Sequence, residues 1–162
     1  MSMVYNVSVG GITPTAAACT LAFVNPGVSR SLAFLRAWCG QSVNATSAQQ
    51  RVQLNTQVTA FPTLTSTAPV PGQLSDPASV ITGGTAGAAG TSGTNASAEG
   101  AGSKTIVNHD TFNVLNGYLW VPTPKDVIVL NASAASGFGL HFPVAANPAG
   151  AWSWGVTFEQ LG

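Results

Sequence analysis

The side chains of this sequence alternate along stretches too short and too β-branched for helix. Over residues 51–58, Val52, Leu54, Thr56 and Val58 fall on one side of an extended chain, and Arg51, Gln53, Asn55 and Gln57 on the other. A strand repeats every two residues, so this pattern predicts a strand with one core face and one polar face. Residues 151–158 repeat the signal, with Trp152, Trp154, Val156 and Phe158 opposite Ser153, Gly155 and Thr157. Over residues 31–39, Leu32, Phe34, Arg36 and Trp38 share one face and Leu35, Ala37 and Cys39 the other. Both faces are mostly apolar, which predicts a central strand or one lying under a neighbouring subunit.

Further strands are expected at residues 4–9, closed by Gly10-Gly11, and at 16–24, closed by the turn Asn25-Pro26-Gly27. In the second half they are expected at 104–107, 112–121, 126–130 and 139–142. Asn116-Gly117 interrupts the second of these as a hairpin turn or a bulge. Residues 47–54 tolerate helix, but the β-branched alternation beyond Arg51 favours strand. Eight or nine strands without a convincing helix predict one all-β domain over residues 1–162, an antiparallel β-sandwich of the jelly-roll kind.

Residues 62–104 break the pattern. Four prolines interrupt a Thr/Ser-rich stretch, and residues 82–105 contain no Val, Ile, Leu, Met or aromatic side chain. This segment reads as a long extended loop inserted in the domain, either a flexible linker or an arm laid on a neighbouring subunit.

Charge then narrows function. Charged residues make up 6% of the chain, against about 25% in an ordinary soluble domain, and five basic side chains balance five acidic ones. A surface of Ser, Thr, Asn, Gln, Gly and Ala suits close packing against other subunits, because few ions must be stripped of water. The basic residues Arg30, Arg36, Arg51, Lys104 and Lys125 do not cluster, which argues against direct nucleic-acid binding and against a basic membrane-surface helix. No apolar run is long enough to span a membrane. Cys19 and Cys39 both sit in apolar runs and read as buried free thiols.

Signals for chemistry are weak. Gly100-Ala101-Gly102-Ser103-Lys104-Thr105 resembles a phosphate loop, but Ser103 separates the Gly from the Lys that should follow it directly. His109 and Asp110 are adjacent and would point to opposite faces of a strand, with His109 read as a turn residue. The two histidines and two cysteines have no metal-ligand spacing. The chain is therefore expected to have no catalytic residues, no cofactor and no metal. Trp38, Tyr118, Trp120, Trp152 and Trp154 could stack on carbohydrate, but core or subunit packing is the commoner use of such residues. The candidate interface comprises Trp38, Tyr118, Trp120, His141 and Trp152, with Ile81, Gly83, Gly84, Gly87 and Gly90 on the arm.

Three stretches carry a resemblance. They are Ile81-Thr82-Gly83-Gly84-Thr85-Ala86-Gly87-Ala88-Ala89-Gly90-Thr91, Val114-Leu115-Asn116-Gly117-Tyr118-Leu119-Trp120-Val121-Pro122-Thr123-Pro124, and Trp154-Gly155-Val156-Thr157-Phe158-Glu159. They resemble small structural proteins of tailed bacteriophages, of the capsid cement or decoration type encoded near the major capsid protein. The resemblance covers the second half of the chain and includes no diagnostic motif. It implies a β-sandwich or jelly-roll subunit, a dimer or trimer, seated on the capsid exterior against the major capsid protein, without catalysis or cofactor, and made in the host cytoplasm. A receptor- or glycan-binding module of a tail or fibre is the alternative, marked by Trp exposed in a groove. A main single-jelly-roll shell protein is a further one, although it would want a basic segment that this chain lacks.

Overall fold

The computed structural model describes residues 3–43 and 46–162, and no helix occurs among them. The strands are β1 (Met3–Ile12), β2 (Cys19–Val24), β3 (Ser31–Gln41), β4 (Gln49–Val58), β5 (Thr63–Ser66), β6 (Val70–Pro71), β7 (Thr82–Gly83), β8 (Thr91–Ala98), β9 (Ser103–Asn113), β10 (Tyr118–Trp120), β11 (Ile128–Leu130), β12 (Ser136–Phe142) and β13 (Trp152–Leu161). They form two packed antiparallel sheets, an all-β sandwich. The first runs β10-β3-β13-β1-β6, with β11 also on β3. The second runs β5-β8-β2-β12-β4-β9, with the short β7 added parallel to β8.

The core lies between the sheets and is aromatic. Trp152, Trp154, Val156 and Phe158 are all buried, as their alternation predicts. Phe34 of the first sheet stacks on Phe138 of the second at 4.0 Å, and Phe142 meets Trp152 edge-on at 5.1 Å. Trp152 donates its indole N–H to the Pro148 carbonyl at 3.1 Å, so its polar atom is satisfied inside. Cys19 and Cys39 are buried and unbonded, and burial pushes both thiols up from their ordinary range.

Bulges rearrange the expected faces. On β3, Phe34 pairs with Phe158 and Arg36 with Thr157, which leaves Leu35 as an extra residue. Directly paired residues share a face, so Leu32 and Phe34 point into the core, as do Ala37 and Cys39 beyond the bulge. Arg36 and Trp38 therefore point outward, which corrects the unbroken alternation expected there. β3 is central, flanked by β13 on one side and by β10 and β11 on the other. β1 does not end at Gly10-Gly11 but bulges there and continues to Ile12.

Residues 62–104 are not an extended loop or arm. β5 to β8 lie within them, and β8 pairs with both β2 and β5. Small polar side chains bury well when their hydrogen bonds are met. Ser92 donates to the Thr67 carbonyl at 2.6 Å, and Thr94 shares a hydroxyl bond with Thr67 at 2.8 Å. The Asn95 amide accepts from the Thr15 N–H at 3.0 Å and donates to the Thr13 carbonyl at 3.3 Å. A strand with no large apolar residue is thus held by its ladder and by hydroxyls.

This segment folds over the outer face of its own second sheet. Phe23 points outward from β2, beside Asn55 of β4 and Gly139 of β12 in the register. It is nevertheless fully buried, packed against Phe61 at 5.6 Å. A Cβ on Gly137 would come within 2.2 Å of the Phe23 ring, and one on Gly87 within 3.3 Å. Asn55 and Gln57 are buried beneath the same cover, although their face was expected to be the polar one. Val58, expected in the core, is substantially exposed at the strand end.

Candidate interaction surface

β9 and the β10/β11 pair end their respective sheets on the same side of the sandwich. At one end Phe112 of β9 meets Tyr118 of β10 with ring centres 5.7 Å apart, which closes the gap between the sheets. Towards the other end the sheets part into a cleft of about 350 Å³, lined by Val107, Asn108, Trp120, Asp126 and Ile128. Along these edges Ile106, Val107, Leu119, Val121 and Val129 are about half-exposed or more, with Leu119 and Val129 on the outer face of the first sheet, opposite Trp38 and Ala33 in the register. β9 is eleven residues long, has no partner on its free side among the described residues, and carries only Lys104, His109 and Asp110 as titratable groups. Soluble proteins usually protect such an edge with charge, proline or a covering loop.

The bulge on β9 falls at Val107, because Leu54 pairs with Asn108 and Asn55 with Ile106. It turns two successive apolar side chains, Ile106 and Val107, out at the edge. His109 lies in the middle of this strand, not in the turn expected for it. Nor does Asn116-Gly117 form a hairpin turn: β9 and β10 belong to different sheets, and the turn carries the chain between them.

A second cleft, of about 360 Å³, opens on the outer face of the first sheet around Trp38, Gly40, Gln41, Ser42, Asn116, Leu119 and Ser153.

The ten expected interface residues are only partly brought together. Trp38, Tyr118 and Trp120 lie on the adjacent strands β3 and β10 but on different faces: Trp38 is half-buried on the outer face of the first sheet, Trp120 is half-buried at the cleft between the sheets, and Tyr118 is buried. Trp152 and Ile81 are core residues and present no surface to a partner. Gly83, Gly84, Gly87 and Gly90 lie at the opposite edge of the second sheet, where close packing within the chain explains them. A Cβ would meet Ser66 Oγ at 2.5 Å from Gly83, the Thr91 side chain at 2.7 Å from Gly84 and Phe61 Cβ at 2.6 Å from Gly87. Gly90 adopts φ 70° while its backbone nitrogen would lie 2.8 Å from a Cβ on Gly27.

His141 is buried in a polar cluster on the covered outer face. Glu99 accepts the Thr20 N–H at 2.5 Å and the Thr20 hydroxyl at 2.7 Å, pairs with Lys104, and lies 3.3 Å from His141 Nδ1. Burial, helped by the Lys104 charge, pushes His141 down to about 4, against the opposing pull of Glu99. Burial works against the Glu99 carboxylate, but its bonds to Lys104 and Thr20 and the nearby His141 outweigh it and hold the group below the usual range.

The same cluster accounts for the phosphate-loop resemblance. Gly100 and Gly102 pass so close to the 58–61 turn that a Cβ would lie 2.1 Å from the Ala60 carbonyl oxygen and 1.7 Å from that of Thr59. Gly102 donates its N–H to Ala60 at 3.0 Å. The glycines serve a chain crossing, and Lys104 is engaged by Glu99. Among the described residues no group of three His, Cys, Asp or Glu side chains could hold a metal ion, and no helix is long and apolar enough to cross a membrane.

Comparison with protein-family models, with curated proteins and with solved structures gave no match.

Proposed function

We propose that the protein is a non-enzymatic structural subunit that packs into an assembly, as a cement or decoration protein on the exterior of a virus capsid. The observation that carries this reading is the open edge. An eleven-residue free strand and a facing second edge display Ile106, Val107, Leu119, Val121 and Val129 in a chain with 6% charged residues. Contact there would remove apolar surface from water and leave few ions to desolvate.

The strand order supports a jelly-roll. β1, β13, β3 and β10/β11 lie side by side in one sheet and β2, β12, β4 and β9 in the other. Along the chain these strands switch sheet at each step except from β4 to β9, the path of a jelly-roll. The insertion holding β5 to β8 occupies that one step. Such sandwiches serve in capsids and lectins, so the fold agrees with the reading without deciding it.

In this role each copy bridges neighbouring shell subunits through its edge. Modest affinity per contact suffices, because many sites act together. Attachment should change little with salt, since few charges are involved.

Quantitative mass spectrometry of particles purified from the source should find a copy number comparable with that of the shell subunit. Ile106→Lys with Val107→Lys, both at exposed positions, should abolish attachment to particles while leaving the unfolding midpoint nearly unchanged. Absence of the chain from every particle, or attachment by the double variant as tight as by the parent, overturns the reading.

A further inference from the structure

Of the four tryptophans, Trp152 and Trp154 are buried, and Trp120 lines the cleft between the sheet edges. Trp38 stands alone on the outer face of the first sheet. Its indole rests where a side chain at position 155 would be: a Cβ on Gly155 would come 3.1 Å from Trp38 Cε2 and 2.8 Å from Ser8 Cβ. The other flank of Trp38 is open. Gly40 shares the outward face with Trp38, and a Cβ built there meets nothing within 4 Å. Gly155 thus seats the ring against the sheet, and Gly40 beside it leaves a recess.

Apart from Leu119, the rim of this recess is polar, and it carries no formal charge. Asn116 is exposed on the turn between β9 and β10, held there by its own N–H to the Asn113 carbonyl at 2.9 Å. Gln41 Oε1 accepts the Val43 N–H at 2.8 Å, which fixes that amide at the rim. Ser153 lies directly across from Gly40 in the β3–β13 ladder and Ser42 just past the end of β3; the Ser42 hydroxyl donates to the Ala151 carbonyl and the Ser153 hydroxyl accepts the Gly11 N–H, at 3.3 Å each. No Asp, Glu, Lys or Arg lines the cleft.

We propose that this cleft binds one residue of a neutral carbohydrate, stacked on Trp38. A pyranose ring presents a face of C–H groups with slight positive charge, which suits the negative face of an indole. Its edge carries hydroxyls that both donate and accept, and amides and serine hydroxyls do the same. The volume, about 360 Å³, lies in the range of small-molecule sites and admits one sugar ring. An anionic ligand would find no counter-charge. A nucleotide strand could stack on Trp38, but its phosphates would lack cations. The site shares only Leu119 with the sheet edges invoked for assembly, and the substitutions that test it, at Trp38 and Gly40, lie outside those edges, so either proposal can fail alone.

The test titrates the purified protein with neutral trisaccharides (maltotriose, cellotriose, mannotriose and N-acetylchitotriose), read by tryptophan fluorescence and by amide chemical-shift perturbation. At least one should give a saturable response centred on residues 38–42 and 116–119. Trp38→Ala should weaken it about tenfold or more, the loss of one aromatic stacking contact, and Trp38→Phe should weaken it less. Gly40→Leu should abolish it by filling the recess, at a position where an added Cβ meets nothing within 4 Å, with an unchanged urea midpoint as the check that the variant folds. Trp120→Ala should leave it unchanged. No saturable response from any of the four sugars overturns the proposal. So does a response that survives both Trp38→Ala and Gly40→Leu, or stronger competition by a proline-rich peptide or an oligothymidylate than by any sugar.

Discussion

Phe23 distinguishes a packed insertion from a loose arm. Its ring is fully buried on the outer face of the second sheet, between Gly137 beneath and Phe61 above. Truncation to alanine removes a complete aromatic ring from a closed site, a change that costs about 3–5 kcal/mol in a packed core. If Phe61 and residues 62–104 were mobile together, the ring would face water, and the loss would stay under about 1 kcal/mol. Gly137→Ala approaches the same contact from the other side. The added Cβ would lie 2.2 Å from Phe23 Cζ, so the ring or the strand must shift, which costs about 1–3 kcal/mol. Gly137 lacks a positive φ, and the three atoms nearest the added Cβ all belong to the Phe23 ring, so removing the ring removes the close contacts. The double variant Phe23→Ala/Gly137→Ala should therefore be no less stable than Phe23→Ala alone, giving a coupling of about 1–3 kcal/mol in a double-mutant cycle. Urea denaturation of the four proteins measures this directly, with a constant slope as the check on two-state behaviour. Additive losses, or a Phe23→Ala cost below about 1 kcal/mol, would refute the covered outer face.

Two other outcomes follow from local chemistry. His141 is held at about 4 in the folded protein against an ordinary 6.5, so between those values the unfolded chain binds more protons and stability falls as pH falls. Glu99, held below its usual range, extends the loss to lower pH. A pH series of urea midpoints should show a decline on the order of 2 kcal/mol from pH 6.5 to 4, and His141→Gln should flatten that window. The turn at Thr59 and Ala60 places both residues at positive φ, 48° and 41°, where a Cβ is strained. Ala60→Gly should raise the urea midpoint by the equivalent of about 0.5 kcal/mol, net of the extra freedom of glycine in the unfolded chain; a lowered midpoint would show that the turn is not strained.

Strand positions were legible where an alternating face met a continuous core. β13 follows its pattern residue for residue, because Trp152, Trp154, Val156 and Phe158 all reach the same interior without a bulge among them. β3 was legible as a central strand, but not in its faces, since the extra residue at Leu35 leaves no mark in composition. β8 was hidden because propensity and hydrophobicity carry no signal in Thr91–Ala98. Its hydroxyls find partners only once β2 and residues 63–67 are beside it. Of the two clefts, the aromatic Trp38 and Trp120 were visible in the sequence, whereas the roles of Gly40, Asn116 and Val107 were not, because each depends on what lies across a sheet or a bulge.

The sequence by itself determined the class of structure and the character of the surface. Period-two alternation forbids a helical core, and ten charged side chains in 162 residues settle how little electrostatics the exterior can offer. The tertiary structure alone decided which glycines are bare for packing and which for access, which tryptophans face inward, and that the glycine-rich segment covers its own sheet. The physical reason is that burial and close approach are relations between distant parts of the chain, fixed by register and bulges, and a one-residue shift in either exchanges inside for outside.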